Sequence, residues 1–296
     1  MRKRTKAALW VAAGCIFFGG ILMGAGSVAG GYGQLKDVSD NPLGVTFERD
    51  AFYISSPNAE TKENHLQKTK DFVGEEIVPG QEVLSGDFTR SFSVQNLYEL
   101  EIKTGIHNFT IIESDVDNIT VEGVNCDQIQ CFVREGELRL LDVGRKNAIT
   151  GPDDRRIHIS IPKDMQWTEV ELEVVMAEAD VQVLRAQDCE LTVDMGAISV
   201  KNAVVGNLDV SADMGAVTLE GEIQHNAEAD ASMGAVIFKL KQKETDFNYQ
   251  IEASMGSVKL GGKEISGLDK EKMINNQADR TMELEASMGS IEITFE

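Results

Sequence analysis

Aromatic side chains make up only 6% of this 296-residue sequence, there are four histidines, and no two cysteines stand at C-x-x-C spacing. Each shortage removes a class of protein. Few large rings and 27 glycines argue against a helical bundle packed on bulky side chains. His65, His107, His158 and His225 are scattered, with neither H-x-x-x-H nor H-E-x-x-H, so no histidine-built metal centre is expected. His158, between Ile157 and Ile159, is expected to face outward from a strand. Without C-x-x-C there is no zinc or redox signature. Cys126 and Cys131 could pair outside the cell but are read as buried free thiols, and Cys189 stands alone. There is no G-x-S-x-G, P-loop or Rossmann fingerprint. No repeat concentrates Asp with Arg and Lys as a sugar-cleaving β-helix would, and "GPDDRR" at 151–156 suits a turn. No catalytic, cofactor-binding or metal-ligating residue is assigned, no cofactor is expected, and the chain is read as not an enzyme.

Positive charge is the other scarcity. There are 28 Lys and Arg against 49 Asp and Glu, a net charge of −21. Four of the basic residues, Arg2, Lys3, Arg4 and Lys6, open the chain; without them 24 face 49, so the remainder carries −25. Such a surface repels phosphate backbones, which excludes nucleic acid, and disfavours docking flat on anionic lipid.

What is present begins with an address. From Ala7 to Tyr32 there is no charged residue, enough to cross a bilayer as a helix of roughly 20 residues. The basic head keeps residues 1–6 in the cytoplasm and leaves everything after 32 outside the cell. Two other readings stay open: a signal peptide cleaved near "SVA" (27–29), and lipidation at Cys15, although the apolar run continues well past it. Gly20 and Gly24 form a G-x-x-x-G, a weak signal in so glycine-rich a segment. Residues 33–91 read as a stalk or cap, with one or two strands in "PLGVTFERDAFYI" (42–54).

From residue 92 to 296 the chain is repetitive. Met195, Met214, Met233, Met255 and Met288 are each followed by Gly, then Ala or Ser, then an alternating tail such as "VTL" or "IEI"; the intervals are 19, 19, 22 and 33. Leu191, Val210, Ala229, Ile251 and Leu284 stand four residues before each Met, and Val193, Ala212, Ala231, Ala253 and Ala286 two before. Met176 lies 19 residues ahead of Met195, with a tail that reads as two residues longer, and Thr104-Gly105 in "LEIKTGIHNFTI" is read into the Met-Gly slots of an earlier unit. Side chains alternate along a strand, so positions −4, −2 and 0 share one face. Parity breaks at Gly, which is read as a bend requiring a backbone conformation that other residues resist. Like phrases at constant spacing stack. The expected fold is therefore all-β, a single-stranded β-solenoid (β-helix-like) of about 19-residue repeats preceded by one transmembrane helix, with each coil adding ~4.8 Å. A β-sandwich of repeated hairpins is the alternative. The methionines are expected inside, as core packing, and residues 264–280 as a loop inserted at one corner.

Asp194 and Asp213 precede Met-Gly in successive repeats and would stack on the outside. A weak Ca²⁺ site there is one reading; since Ser232, Ser254 and Ser287 follow in the same slot, side-chain bonding to backbone at the bend is the other.

"LEIKTGIHNFTI", "RRIHISIPKDMQWTEVELEVVMAEADVQV", the "I-x-I-P-K-D" step at 159–164, the "MGAVTL"-like units and the closing "GSIEITF" together resemble the bacterial "putative adhesin" family, the DUF4097 domain, over residues 92–296. The resemblance implies an extracytoplasmic β-solenoid, often tethered by one membrane span, with some members associated with cell-envelope stress systems and no established catalytic residues. Met before Gly, where many members carry Thr, departs from the pattern. The function expected is a membrane-tethered, adhesin-like interaction or scaffold module at the cell envelope. Its partner would be a wall polymer, a cationic peptide or a membrane protein, docking on the late repeats and the 264–280 segment. The alternatives are an envelope-stress sensor working through a membrane partner and, less favoured, a glycan-active enzyme. A last coil ending at Phe295 with no visible cap also suggests end-to-end self-association.

Overall fold

The computed structural model describes residues 45–48, 51–54, 75, 77–143, 154–266 and 270–296. The chain divides into two units, Met1–Lys68 and Thr69–Glu296. In the first, β1 (Val45–Glu48) and β2 (Ala51–Ile54) pair antiparallel, Val45 opposite Ile54. The expected membrane segment 7–32, the tail 1–6, Cys15 and His65 lie outside the described residues. Among the described residues no helix is long and apolar enough to cross a membrane.

Among its described residues the second unit is all β apart from a 3-10 turn at Glu244–Asp246. Its first strands are β3 (Leu84–Ser93), β4 (Glu99–Thr104), β5 (Asn108–Ser114), β6 (Asn118–Arg134), β7 (Glu137–Asp142), β8 (Arg156–Pro162), β9 (Trp167–Val174) and β10 (Glu178–Val181). Then come β11 (Leu184–Val193), β12 (Ala197–Ala212), β13 (Ala216–Ile223), β14 (Ala227–Ala231), β15 (Ala235–Leu240), β16 (Asn248–Ala253) and β17 (Ser257–Leu260). The last are β18 (Lys263–Ser266), β19 (Lys270–Ile274), β20 (Thr281–Ala286) and β21 (Ser290–Phe295).

The repeat acts as expected in the middle of the chain. Glu178 lies beside Ala197, Ala197 beside Ala216 and Ala216 beside Ala235, parallel and 19 residues apart at each step. One coil has three sides. Asp188–Val193 pairs with Asn207–Ala212, Ala197–Val200 with Ala216–Leu219, and Ala203–Val205 with Gly221–Ile223. Leu191, Val193, Ile198, Val200, Val210, Ala212, Val217 and Leu219 are all buried. Each Val or Leu so enclosed contributes roughly 1.5–3 kcal/mol. Side-chain volumes balance within a coil: the one that carries Ala227, Ala229 and Ala231 on one side carries Phe238 on another, all in one apolar cluster.

Four expectations are corrected. First, the methionines are not inside. Met176, Met195, Met214, Met233, Met255 and Met288 are 40–58% exposed. The inward alternation ends at the residue two before each Met, where the strand stops: β11 ends at Val193 and β20 at Ala286. The chain then turns a corner with Met on its outer edge. Second, the glycine after Met does not need an unusual φ; none of Gly196, Gly215, Gly234, Gly256 or Gly289 has a positive one. It needs to have no side chain. A Cβ on Gly234 would stand 2.5 Å from the Gly215 carbonyl oxygen, and one on Gly289 2.5 Å from that of Gly234. Third, the unit at 100–111 is offset by two: Thr104 aligns with Val174 and so with Val193, which puts Ile106 and His107, not Thr104 and Gly105, in the Met-Gly slots. By the same register Ala179 takes the place of Ile198, so the tail after Met176 is no longer than the others.

Fourth, the coils are not stacked in chain order. β20 lies between β14 and β16, and β21 between β15 and β17, so the Met288 coil is inserted between those of Met233 and Met255. The other end repeats the device: β4 lies between β7 and β9, and β5 between β8 and β10. Both ends are closed by antiparallel strands. β6 runs across β7 and β8, with β3 outside it. β18 and β19 cover β17 and β16. Segment 264–280 is thus mainly a cap and not a loop. Its return is clamped by Asn248, whose Oδ1 accepts from the Asn276 and Ala278 amides at 3.0 and 3.2 Å, while Asn276 Nδ2 donates to the Phe247 carbonyl at 2.7 Å. The last coil has no bare edge at Phe295. The outermost strands, bearing Lys263, Glu264, Lys270, Glu271 and Lys272, are short and charged, which discourages edge pairing.

Candidate functional site

In-register stacking applies to outward side chains as well as to the core. Between the inward residues of one side, a column of carboxylates runs along the outside: Glu101, Glu171, Glu190, Asp209, Glu228 and Glu283, each directly beside the next. A second column holds Asp230, Glu285 and Glu252. Neighbouring strands are ~4.8 Å apart, and like charges directly opposite destabilise a sheet.

Near β7 the column is neutralised. Lys103 Nζ lies 3.1 Å from Glu101 and 2.8 Å from Glu171, and Arg139 Nε lies 3.0 Å from Glu101. Burial works against the Lys103 charge, but the hydrogen bonds it donates to Glu171 and Glu101 outweigh it and hold its ammonium protonated well above the usual range. Farther along, Glu190, Asp209, Glu228 and Glu283 have no ion-pair partner among the described residues. At Glu190, and at Glu285 in the second column, the surroundings bear on protonation. Partial burial, then the charges of Glu171 and Asp209, raise the Glu190 pKa, although its side chain still meets solvent. Burial, then Asp230, Glu252 and Glu228, raises that of Glu285. Glu169, Asp188, Glu190, Asp209, Glu228 and Glu283 border a shallow groove of about 540 Å³ along this side. The signal is in the sequence, where carboxylates recur at 171, 190, 209 and 228, each 19 apart. Alignment on the methionines hides it, because an acid count within one repeat shows nothing unusual; only the count across repeats does.

The other candidates are structural. His107 is fully buried, with Nδ1 2.8 Å from Asp142 Oδ2. That pair has the outline of a general-base dyad, but Nε2 accepts the Asp127 amide N–H at 3.0 Å, so Nδ1 carries the proton and no lone pair remains for substrate. Asp142 Oδ2 also accepts from the Gly105 and Ile106 amides at 3.1 and 3.2 Å. The arrangement pins the corner where His107 replaces glycine. His158 is partly exposed on β8, and His225 is exposed. Cys126, Cys131 and Cys189 are buried free thiols; burial pushes the Cys126 pKa up to about 11 and the other two higher, away from thiolate chemistry. Asp194 and Asp213 do fall in adjacent coils, and burial, then the Asp213 charge, raises the Asp194 pKa. Among the described residues no cluster of three or more His, Cys, Asp or Glu side chains is arranged to hold a metal.

Residues 97–222 match the Toastrack DUF4097 family model. No curated protein matches the chain. Among solved structures, a "putative cell adhesion protein" from Clostridium sporogenes is 16% identical, with 72% of this chain and 100% of that one covered, at a TM-score of 0.45. A "putative adhesin" from Bacteroides fragilis is 14% identical, covering 74% and 100%, at 0.33. A "putative lipid binding protein" from Parabacteroides distasonis is 15% identical, covering 70% and 96%, at 0.31.

Proposed function

We propose that this chain, whose residues 97–222 match the Toastrack DUF4097 family model, is a non-enzymatic, adhesin-like interaction module whose stacked carboxylates receive a cationic partner. The apolar run 7–32 supports a single-pass tether with the basic head in the cytoplasm and the domain at the outer face of the cell. Parallel pairing at 19-residue steps supports a single-stranded β-solenoid as the scaffold. The observation that carries the reading is the unpaired run Glu190, Asp209, Glu228 and Glu283. Four carboxylates held at strand spacing repel one another, and a polycation lying along them relieves that repulsion as it binds. Negative charge over the whole domain steers such a partner in. A cationic peptide or a wall polymer with amine groups has the required chemistry.

The test uses the full-length protein in neutral-lipid nanodiscs and fluorescently labelled oligolysine, titrated across a salt series. Binding that weakens steeply with salt, and is lost on neutralising the column (E190Q/D209N/E228Q/E283Q), is the expected result. Equal binding by the neutralised variant overturns the reading. A tag-based crosslinking pull-down on intact cells then separates partners: one specific membrane protein favours the sensor alternative, and wall material favours the adhesin-like one.

A further inference from the structure

Six methionines form one continuous column on the solvent side of a corner. Register places Met176, Met195 and Met214 in successive coils, and backbone bonds continue the series. The Met233 amide donates to Asp213 O at 2.7 Å, that of Met288 to Ser232 O at 2.7 Å, and that of Met255 to Ser287 O at 2.6 Å. The column order is therefore 176, 195, 214, 233, 288, 255. Exposure of 40–58% leaves the thioethers facing water. The slot before Met varies among Val, Asp and Ser, and the slot two after it among Glu, Ala and Ser, while the thioether recurs in all six coils. Beside the last three, Met233, Met288 and Met255 border an open groove whose other walls are Gly234, Gly256, Gly289 and the hydroxyl-bearing Ser257, Ser266 and Ser290. Among the described residues no carboxylate or imidazole lines it.

We propose that Met233, Met288 and Met255 bind a soft monovalent metal cation, copper(I) or silver(I). Thioether sulfur is a soft, uncharged ligand that selects such ions over zinc, calcium or magnesium. The spacing suits it. Metal–sulfur bonds of roughly 2.3 Å place two sulfurs on one ion within roughly 4.6 Å, close to the ~4.8 Å step between coils. Three rotatable bonds let the outer two methionines lean toward the ion over Met288. The glycines add no side chain beside the thioethers, and the acidity of the domain favours a cation.

The experiment is a titration of the full-length protein, labelled with ¹³C at the methionine methyl groups, with silver(I) nitrate in chloride-free buffer. The methyl signals of Met233, Met288 and Met255 are expected to move together and saturate at about one ion per chain. Met288→Leu, of nearly equal volume, is expected to weaken binding roughly tenfold without changing the melting temperature, and Met255→Leu to do so more mildly; Met176→Leu should leave it unchanged. Signals that stay in place while silver is taken up would show that the buried thiols hold the metal and would overturn the proposal. So would a non-saturating drift shared with exposed Met273, or undiminished binding by Met288→Leu.

Discussion

Glu190→Gln should make this protein more stable, and the size of the gain can be worked from the register. Glu190 has a carboxylate on each side in its column, Glu171 and Asp209. A like-charge pair directly opposite on a sheet costs roughly 0.2–1 kcal/mol. At ~4.8 Å the bare Coulomb term in water is about 0.9 kcal/mol, and splayed side chains fall below that. Asp209 in full and Glu171 partly offset by Lys103 give about 1 kcal/mol together, which for a unit the length of Thr69–Glu296 raises the melting temperature by about 2–4 °C. Salt and pH give the gain a signature. At 1 M salt the screening length is about 3 Å, shorter than the step, so the gain should shrink. The folded-state pKa of Glu190 is raised above its unfolded value of 4.5, so its ionised form opposes folding. That penalty is complete above the folded pKa and fades as pH falls through it toward 4.5. The advantage of glutamine should therefore hold at neutral pH and vanish near the ordinary carboxylate range. Glu178, beside Ala197 in the next coil, is the control, and Glu178→Gln should change little. Thermal melts in low and high salt decide the matter. A lower melting temperature for Glu190→Gln, a gain indifferent to salt, or an equal gain in Glu178→Gln would refute the ladder as a source of strain.

Three further outcomes follow from the same coordinates. Gly289→Ala should destabilise by about 1–3 kcal/mol by overpacking against the Gly234 carbonyl, whereas Gly262→Ala, in open space, should be penalised only for its positive φ; chemical denaturation compares them. His107→Ala strands the Asp127 amide and removes a donor from buried Asp142, a loss of about 3 kcal/mol or roughly 6–12 °C by calorimetry. Mild peroxide should convert the six column methionines and Met273 to sulfoxides but spare fully buried Met282, as read by peptide mass spectrometry; equal oxidation of Met282 would show that the late coils open.

The period was legible because it is a one-dimensional property. Counting from Met195 to Met214 to Met233 yields the offset at which strands pair, and the residues at −4 and −2 name the core. Two other features were not legible for different reasons. Parity alone extends the inward face to the methionine, because nothing in the alternation says that the strand stops at Val193 before its pattern does; the corner is a tertiary event. Coil order was hidden because the intervals of 22 and 33 read equally well as insertions into a sequential stack. The pairing of Ala227 with Met282, 55 residues away, and of Met282 with Tyr249 on its other side shows that the last coil slots in ahead of the one preceding it. The carboxylate column lay in plain view at the same 19-residue period, but polar residues are ordinarily read one segment at a time, and repulsion between coils appears only when outward positions are aligned as the core is.

In-register stacking also explains why the domain needs its unusual ends. A coil stack gains stability mainly from neighbours, so terminal coils are its weak points and their free edges invite aggregation. Here, at both ends, one coil lies between two others that are not its neighbours in chain order. Releasing the C-terminal coil breaks β20 from both β14 and β16, not from one of them. The outermost coil is in turn held through β18 and β19 by antiparallel pairing with its own downstream chain. Rigid ends keep the register fixed over the whole stack. Fixed register holds the carboxylates of one side, and the thioethers of one corner, at a constant step despite the repulsion among the acids. A looser stack would let Glu190 and Asp209 slip apart and lose both the strain and the regular array of charge. On the proposed function, the interleaved caps therefore matter to binding as much as to the fold: they supply the stability that keeps a run of like charges aligned for a cationic partner.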